Sequence, residues 1–205
     1  DPAHPAYFPK QRFLMLMRNE RLAALRTDYD EASHTLTIMT EGQVSARGDL
    51  RTNEGRLAIE AFFRHFMPAE LNGPPKVLSG DGHSFSDVAK KVVSIINLAS
   101  VGALETAMGC AVNPLRFRAN LYVSGWPPWH EFDLLGAELT VGARARLKIV
   151  KRIVRCAATN VDPETGIRDL EIPKTLLQTF GHADCGVYAE VLTAGAIAIG
   201  DALAP

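Results

Sequence analysis

The stretch RLKIVKRIVRCAATNVDPETGIRD, residues 146–169, joins a basic, apolar run to an abrupt turn. Its first half is rich in Ile, Val and Leu, which is typical of a β-strand. The pairs Asp162-Pro163 and Thr165-Gly166 then predict a turn. Six cations lie in or just before the run: Arg144, Arg146, Lys148, Lys151, Arg152 and Arg155. Such a strand indicates either a surface balanced by acidic residues elsewhere or a pocket for an oxyanion, which guanidinium groups bind through paired hydrogen bonds.

Cys156 closes this basic strand and is one of three cysteines in the chain. The thiolate is the form of cysteine that reacts and binds metals, and nearby cations favour it. In a regular strand Arg155 faces away from Cys156, whereas Arg152 shares its side. The spacing therefore leaves two alternatives open, an inert core thiol and a reactive one.

A second polar pattern occurs in RFRANLYV, residues 116–123. If this segment is a strand, Arg116, Arg118, Asn120 and Tyr122 share one face and the opposite face is apolar. Such a polar face is either solvated or lines the same oxyanion pocket as the basic strand.

The remaining pattern predicts many short strands and a few helices. Extended segments are predicted at residues 12–17, 18–27, 28–38, 43–50, 117–125, 137–143, 146–161, 186–193 and 196–203. Helices are predicted at 54–67, ending before Pro68, at 172–180, and after a buried strand between Ser100, as N-cap, and Gly109, as C-cap. In the helix at 54–67, Leu57, Ala61, Phe62 and Phe66 form the expected apolar stripe. The fold class is mainly β with a few helices (α+β), as a β-barrel or a strongly bent sheet.

Composition excludes several classes of partner. The formal net charge of −1 gives no chain-wide reason to expect nucleic acid. No apolar run is long enough to span a bilayer, so no membrane partner is expected either. Three cysteines without a CxxC pair indicate a reducing compartment. Because the opening DPAHPAYFPK lacks the features of a signal peptide, a cytoplasmic location is predicted.

Common catalytic motifs are missing from the sequence. There is no GxGxxG and no GxxxxGK[ST], which argues against dinucleotide and P-loop sites. His130 has no second histidine at the zincin spacing, and the GHSFS around Ser84 lacks the last glycine of a nucleophile elbow. His182 and Cys185 alone are too few ligands for a zinc site.

Three segments, taken in order along the chain, resemble a known family. The FRAN of residues 117–120, then RCAATNVDPETGIRD, then GVYAEVLTAGAIAIGD are similar to the MOSC domain of molybdenum cofactor sulfurases, amidoxime-reducing proteins and bacterial stand-alone proteins. The resemblance implies a MOSC-like β-barrel over residues 76–205, and residues 1–75 look like part of the small β-rich N-terminal region that often precedes it. Ala119 departs from the family pattern, which commonly has proline there.

The resemblance also implies a site. Cys156 would be the catalytic residue and the molybdenum ligand of a bound molybdenum cofactor (molybdopterin). The residues expected to contact that cofactor are Arg116, Arg118, Asn120, Ser100, Arg155, Thr159 and Asp162. The expected partners are a small-molecule substrate and a separate electron-donor protein, since no flavin, haem or iron–sulfur motif is visible.

Two functions of different classes fit this pattern. One is an oxidoreductase that reduces N-hydroxylated or related N- or S-oxygenated compounds. The alternative is a sulfur carrier, with a persulfide on Cys156, or a cofactor-binding module without turnover of its own. A barrel that has lost its chemistry is a third possibility, against which the presence of Cys156, Arg118 and Asn120 argues.

Overall fold

The computed structural model describes residues 6–80 and 88–204. The chain divides into two compact units, Asp1–Ala89 with Pro163–Ile167, and Lys90–Asp162 with Arg168–Pro205. Part of the predicted loop at 71–87, residues 81–87 with Ser84, lies outside the described residues. The division predicted at residue 75 remains a prediction.

Three antiparallel strands form the sheet of the first unit, in the order β1-β2-β3. They are β1 (Arg26–Asp30), β2 (Thr35–Thr40) and β3 (Gln43–Asp49). The β1–β2 turn is held by Asp30, whose carboxylate accepts hydrogen bonds from the Ala32 N–H and the Ser33 hydroxyl. The strands predicted within 28–38 and at 43–50 are confirmed.

The helix α1 (Asn53–Phe66) follows β3, as predicted, and Pro68 comes just after its end. Thr52 caps it by accepting a hydrogen bond from the Gly55 N–H. The predicted apolar stripe is wrong at Leu57, which is 43% exposed, because Gly55, Ile59 and Glu60 form the buried face instead.

Two strands predicted near the N-terminus are wrong. Residues 12–17 form no strand, and 18–27 contain the 3₁₀ helix Glu20–Ala24 before β1 begins. Met15 and Leu16 are buried at consecutive positions, so the segment has no single buried face. The Met15 N–H also bonds the side chain of Asn19 four residues later, so the backbone turns locally.

Close backbone approach between α1 and β3 requires glycine at Gly55. A Cβ there would overlap the backbone of Asp49. We expect Gly55→Ala to lower the free energy of unfolding by roughly 1–3 kcal/mol, measured by chemical denaturation. Gly102→Ala is the matched control, because it is also helical and a Cβ there meets nothing within 4 Å. The free energy of unfolding of the control should rise by about 0.5–1 kcal/mol, because alanine favours a helix more than glycine does. Equal effects of the two substitutions would contradict this close packing.

Six strands form the sheet of the second unit, which curves into a nearly closed barrel. They are β4 (Val93–Asn97), β5 (Leu121–Val123), β6 (Glu138–Val141), β7 (Ala145–Val154), β8 (Asp184–Thr193) and β9 (Leu203–Ala204). The order is β5-β4-β8-β7-β6-β9, with β4 and β5 parallel and the other neighbours antiparallel. The predicted mainly β fold with a few helices is confirmed.

The helices α2 (Leu98–Met108) and α3 (Ile172–Phe180) belong to the same unit, and both were predicted. Gly109 ends α2 in the left-handed conformation, as expected. The predicted N-cap is wrong: Asn97 caps α2 through its side-chain oxygen, and Ser100 lies within the first turn. Strand β4 therefore runs directly into the helix.

Three further strand predictions fail at least in part in this unit. Of residues 146–161, β7 ends at Val154, and Ala157–Asn160 forms a 3₁₀ helix. Of residues 117–125 only β5 is extended, because Pro114–Phe117 forms a 3₁₀ helix and Arg118 is left-handed with φ 50°. Of residues 196–203 only Leu203 pairs, in β9. Arg116, Arg118 and Asn120 therefore do not share a strand face.

Hydrophobic residues on both sides of the sheet make up the core of this unit. One cluster consists of Ile95, Leu139, Val141, Ala145, Leu147, Ile149, Val187 and Ala189. The other consists of Ile96, Val101, Leu104, Val112, Phe117, Ile172, Leu176 and Cys185. Ile95 and Ile96 are consecutive in β4 and enter different clusters, because side chains alternate across a strand.

Candidate functional site

Most cations of β7 are balanced by acidic residues on neighbouring strands. Lys148 lies between Glu138 of β6 and Glu190 of β8 in the strand register. Arg146 pairs with Glu138 at 2.5 Å, and Lys90 pairs with Glu190 at 2.9 Å. This part of the basic run is a charge-balanced sheet surface and supplies no anion pocket.

Arg152, near the end of β7, contacts a carboxylate and an aromatic ring. Its Nε lies 3.2 Å from the Asp184 carboxylate, and its guanidinium lies 3.8 Å from the centre of the Phe132 ring. The ion pair and the ring both hold this cation in place.

Arg155 differs from the other cations of the run. Its guanidinium donates to the carbonyls of Cys185, at 2.7 Å, and Phe117, at 3.3 Å. Its buried Nη2 has no hydrogen-bond partner, and no carboxylate pairs with Arg155 among the described residues. Burial accordingly lowers the pKa of this guanidinium, while the nearby Cys185, Tyr188 and Cys156 partly oppose that shift. A buried cation without a counter-charge is costly, so this one calls for an anion.

Gly186 leaves the room that the Arg155 side chain occupies. It has φ 79°, which favours glycine. A Cβ there would lie 3.2 Å from Arg155 Nη2 and 2.6 Å from Ile96 Cδ1, and would overlap the Ile95 carbonyl. The register of β7 and β8 is irregular between Arg152 and Val154, next to this position.

Cys156 is half-buried and lies where β7 gives way to the 3₁₀ helix Ala157–Asn160. Thr159, which is buried, donates both its backbone N–H and its hydroxyl to the Cys156 carbonyl, at 3.1 and 2.9 Å. Thr159 therefore fixes the backbone that carries the thiol.

Arg116 is buried and bound to two carboxylates. Its Nη atoms lie 2.7 and 2.8 Å from the two Asp169 oxygens, and Nη2 lies 3.1 Å from Asp162. Nη1 also donates to the Asn160 carbonyl at 3.1 Å. Arg116 thus ties the 3₁₀ helix Pro114–Phe117 to the segment after Cys156, and Asp162 is one of its partners.

Arg118 and Asn120 have side-chain nitrogens without a partner among the described residues. Arg118 is exposed, and its guanidinium has no partner among the described residues. Asn120 accepts hydrogen bonds from the Ser94 N–H and hydroxyl, both at 2.9 Å, through its side-chain oxygen. Its amide nitrogen has no partner within the same described ranges, so both residues offer donors from a fixed backbone.

Ser100 is fully buried and engaged within the protein. Its hydroxyl donates to Glu131 at 2.9 Å and accepts from the Trp129 N–H at 2.8 Å. Asn97 donates to the same Glu131 oxygen at 2.9 Å. The other Glu131 oxygen is buried without a hydrogen-bond partner in the described part of the chain.

The structure therefore brings some of the predicted residues together through Arg155. Arg155 is next to Cys156 in the chain, and its guanidinium binds the carbonyl of Phe117, which precedes Arg118. Asn120 follows two residues later. Arg116, Asp162 and Thr159 support this region through internal bonds, whereas Ser100 is bound to Glu131 and Trp129.

The comparison with protein families agrees with this arrangement. The model of the MOSC domain matches residues 74–204, well over half of the chain. The chain belongs to the MOSC domain family. The family match confirms the sequence resemblance and covers the whole second unit as far as residue 204.

Two curated relatives align with the MOSC region. Mitochondrial amidoxime reducing component 2 of Bos taurus is 30% identical over 123 residues, and its Rattus norvegicus counterpart is 31% identical over 123 residues. Each alignment covers 53% of this chain and 35% of the relative, so the chain spans about a third of their length. The solved structure of YiiM from Geobacillus stearothermophilus has a TM-score of 0.42 and 23% identity, covering 55% of this chain and 52% of that one.

Several residues of this MOSC domain that shape the site are not evident from the sequence. Asp169, which binds Arg116 through both carboxylate oxygens, follows the turn after Cys156, a segment in which Thr159 and Asp162 were predicted to contact a cofactor and Asp169 was not. Glu131 lies in HEFDLL, a segment considered only as a zincin fragment. A buried carboxylate leaves no sequence pattern, but the glycine in DCGVY could have indicated an irregular strand at Gly186.

No helix in the described ranges is long and apolar enough to cross a membrane. Likewise, those ranges hold no group of three or more His, Cys, Asp or Glu side chains that could bind a metal ion.

The three cysteines differ in exposure, which predicts an order of alkylation. Cys110 is exposed, Cys156 is half-buried, and burial raises the pKa of the Cys185 thiol to about 12. We expect iodoacetamide at pH 8 to modify Cys110 fastest, then Cys156, and to leave Cys185 intact until the protein is unfolded. Peptide mass spectrometry over time would measure this order. Modification of Cys185 as fast as Cys110 in the folded protein would contradict it.

Proposed function

We propose that this MOSC domain binds the molybdenum cofactor with Cys156 as the metal ligand and takes part in reducing N-hydroxylated compounds. Family membership and the two amidoxime-reducing relatives support a function connected with the molybdenum cofactor. The observation that carries the proposal for this chain is the half-buried Arg155, whose Nη2 atom is buried without a hydrogen-bond partner; Arg155 has no carboxylate partner among the described residues and is next to Cys156 in the chain.

The residues present fit such a group. A thiolate is a soft ligand that suits a thiophilic metal, and its negative charge would balance the Arg155 guanidinium. The exposed Arg118 guanidinium is available for an oxyanion such as a phosphate. The Asn120 amide nitrogen would add a further donor, since only the oxygen of that side chain is used internally.

Each residue then has a distinct task. Cys156 holds the metal, Arg155 offsets the charge of the thiolate, and Arg118 with Asn120 holds the cofactor's anionic part. Arg116, Asp162 and Thr159 position these groups from behind. The bound cofactor supplies the redox chemistry.

The overall reaction adds two electrons and two protons to the N-hydroxyl group, breaks the N–O bond, and yields the N–H compound and water. The electrons come from a separate electron-donor protein. The substrate is a small molecule, in keeping with the name of the two relatives.

Metal analysis of the full chain, purified from a host that makes the cofactor, tests the proposal. We expect near-stoichiometric molybdenum in the native protein and its loss in Cys156→Ala, because the variant lacks the proposed ligand. Cys110→Ala is the matched control and should keep the metal, since Cys110 is exposed at the end of α2.

Two results would overturn the metal assignment: no molybdenum in the native protein, or unchanged molybdenum in Cys156→Ala. If the native protein instead carries labile sulfur on Cys156, the sulfur-carrier alternative replaces the reductase.

Substitutions of Arg116 and Arg118 should distinguish a residue that supports the fold from one that holds the cofactor. We expect Arg118→Met to lower molybdenum content while leaving the free energy of unfolding of the metal-free protein within about 0.5 kcal/mol, because its side chain is exposed. Arg116→Met should lower that free energy by about 2 kcal/mol or more, because it removes a buried guanidinium that binds Asp162, Asp169 and the Asn160 carbonyl.

Urea unfolding and metal analysis of both variants would measure the contrast. Full molybdenum content in Arg118→Met, or equal destabilisation by both substitutions, would contradict the assignment.

A further inference from the structure

Four half-buried aromatic rings cluster beside the first residues of β8. Trp129 contacts Phe180, His182 and Phe132, with ring centroids 4.7, 5.3 and 5.8 Å away. His182 also lies 5.4 Å from Phe132. These rings, called here the aromatic cluster, combine flat apolar faces with one polar ring.

The strand register places this cluster near Cys156. Val154 pairs with Asp184, and the Arg155 N–H donates to the Ala183 carbonyl at 2.8 Å. One further step along the two antiparallel chains leads to Cys156 and His182.

The His182 ring carries a donor that nothing nearby uses. The Asp184 N–H donates to its Nδ1 at 3.2 Å, so the neutral ring carries its proton on Nε2. Nε2 has no partner among the described residues. The ring can therefore donate a hydrogen bond to a bound molecule.

Trp129 is held in place at a conformational cost. Its backbone is left-handed, with φ 67°, which is unfavourable for a bulky residue. The buried Ser100 hydroxyl accepts the Trp129 N–H, and Glu131 in turn accepts from Ser100 and Asn97. These bonds hold Trp129 in that conformation, and its side chain also packs against the second core cluster.

From these observations we propose that Trp129, Phe180 and His182 form the substrate subsite, which takes the planar, aromatic part of an N-oxygenated compound. The indole and phenyl rings pack against the flat group, and His182 Nε2–H donates to the substrate's oxygen. The proposal rests on the proposed function, because it places the subsite beside Cys156.

Fluorescence of the metal-free protein tests binding independently of the cofactor. Trp126→Phe leaves Trp129 as the sole tryptophan, since the chain has two. We expect benzamidoxime to change Trp129 fluorescence saturably in this variant, and acetamidoxime, which has no aromatic ring, to bind at least threefold more weakly. No saturable change, or equal affinities, would overturn the subsite.

Enzyme kinetics of the protein with bound molybdenum test the roles of Trp129 and His182. Trp129→Gly suits the left-handed backbone, so it removes the ring without adding strain. The variant should raise the KM for benzamidoxime about threefold to tenfold, because it loses one aromatic–aromatic contact with the substrate. The KM for acetamidoxime should change less than twofold.

His182→Phe, which keeps a ring but loses the donor, should lower kcat/KM about fivefold to tenfold for both amidoximes. His182→Gln restores an N–H and should stay within about twofold of the native value. Leu177→Ala, at a residue of α3 that is 59% exposed, is the control and should change neither constant.

The outcomes separate this proposal from the previous one. Saturable binding by a protein that never holds molybdenum would overturn the reductase and keep the subsite. If the protein binds molybdenum and is active, but Trp129→Gly changes the KM values for benzamidoxime and acetamidoxime equally, the subsite alone would be overturned.

Discussion

The buried guanidinium of Arg155 is the interaction on which the rest of the second unit depends. It links the carbonyls of Cys185 in β8 and Phe117 in the 3₁₀ helix, next to the residue proposed to bind metal. Gly186 leaves room for it, since a Cβ there would lie 3.2 Å from Nη2. Backbone carbonyls satisfy part of its hydrogen-bonding capacity but none of its charge. Its charge therefore has no carboxylate counter-charge among the described residues, which is the basis of the anion site proposed above.

The surroundings of Arg155 show how similar residues acquire different roles. Arg146, Arg152 and Arg155 come from one run, yet Arg146 and Arg152 pair with acidic residues and only Arg155 is left with carbonyls. Arg116 and Arg118 are two residues apart, but the 3₁₀ helix turns one toward two carboxylates and leaves the other exposed. Composition cannot distinguish these cases, because the partners come from distant parts of the chain.

Most elements with a strong local signal were predictable. The helices α1 and α3 follow from periodicity and proline placement, and the long strand β7 follows from its β-branched residues. The failures have local physical causes. Asn97 replaces Ser100 as the cap of α2 because β4 runs directly into the helix, and FRAN turns because Arg118 adopts a left-handed conformation. Strand alternation predicted Arg118 and Asn120 on one face, but the left-handed backbone at Arg118 interrupts the strand.

By itself, the sequence determined that this chain is mainly β with a few helices, that it carries the ordered MOSC segments, and that Cys156 ends a basic strand. These features depend on local propensity and order, which a sequence contains in full. Only the tertiary structure decided which cation is without a carboxylate partner among the described residues, which serine is buried against Glu131, and which aromatic rings gather beside β8. Those outcomes depend on contacts between distant residues, where a charge or a ring obtains its role from what packs against it.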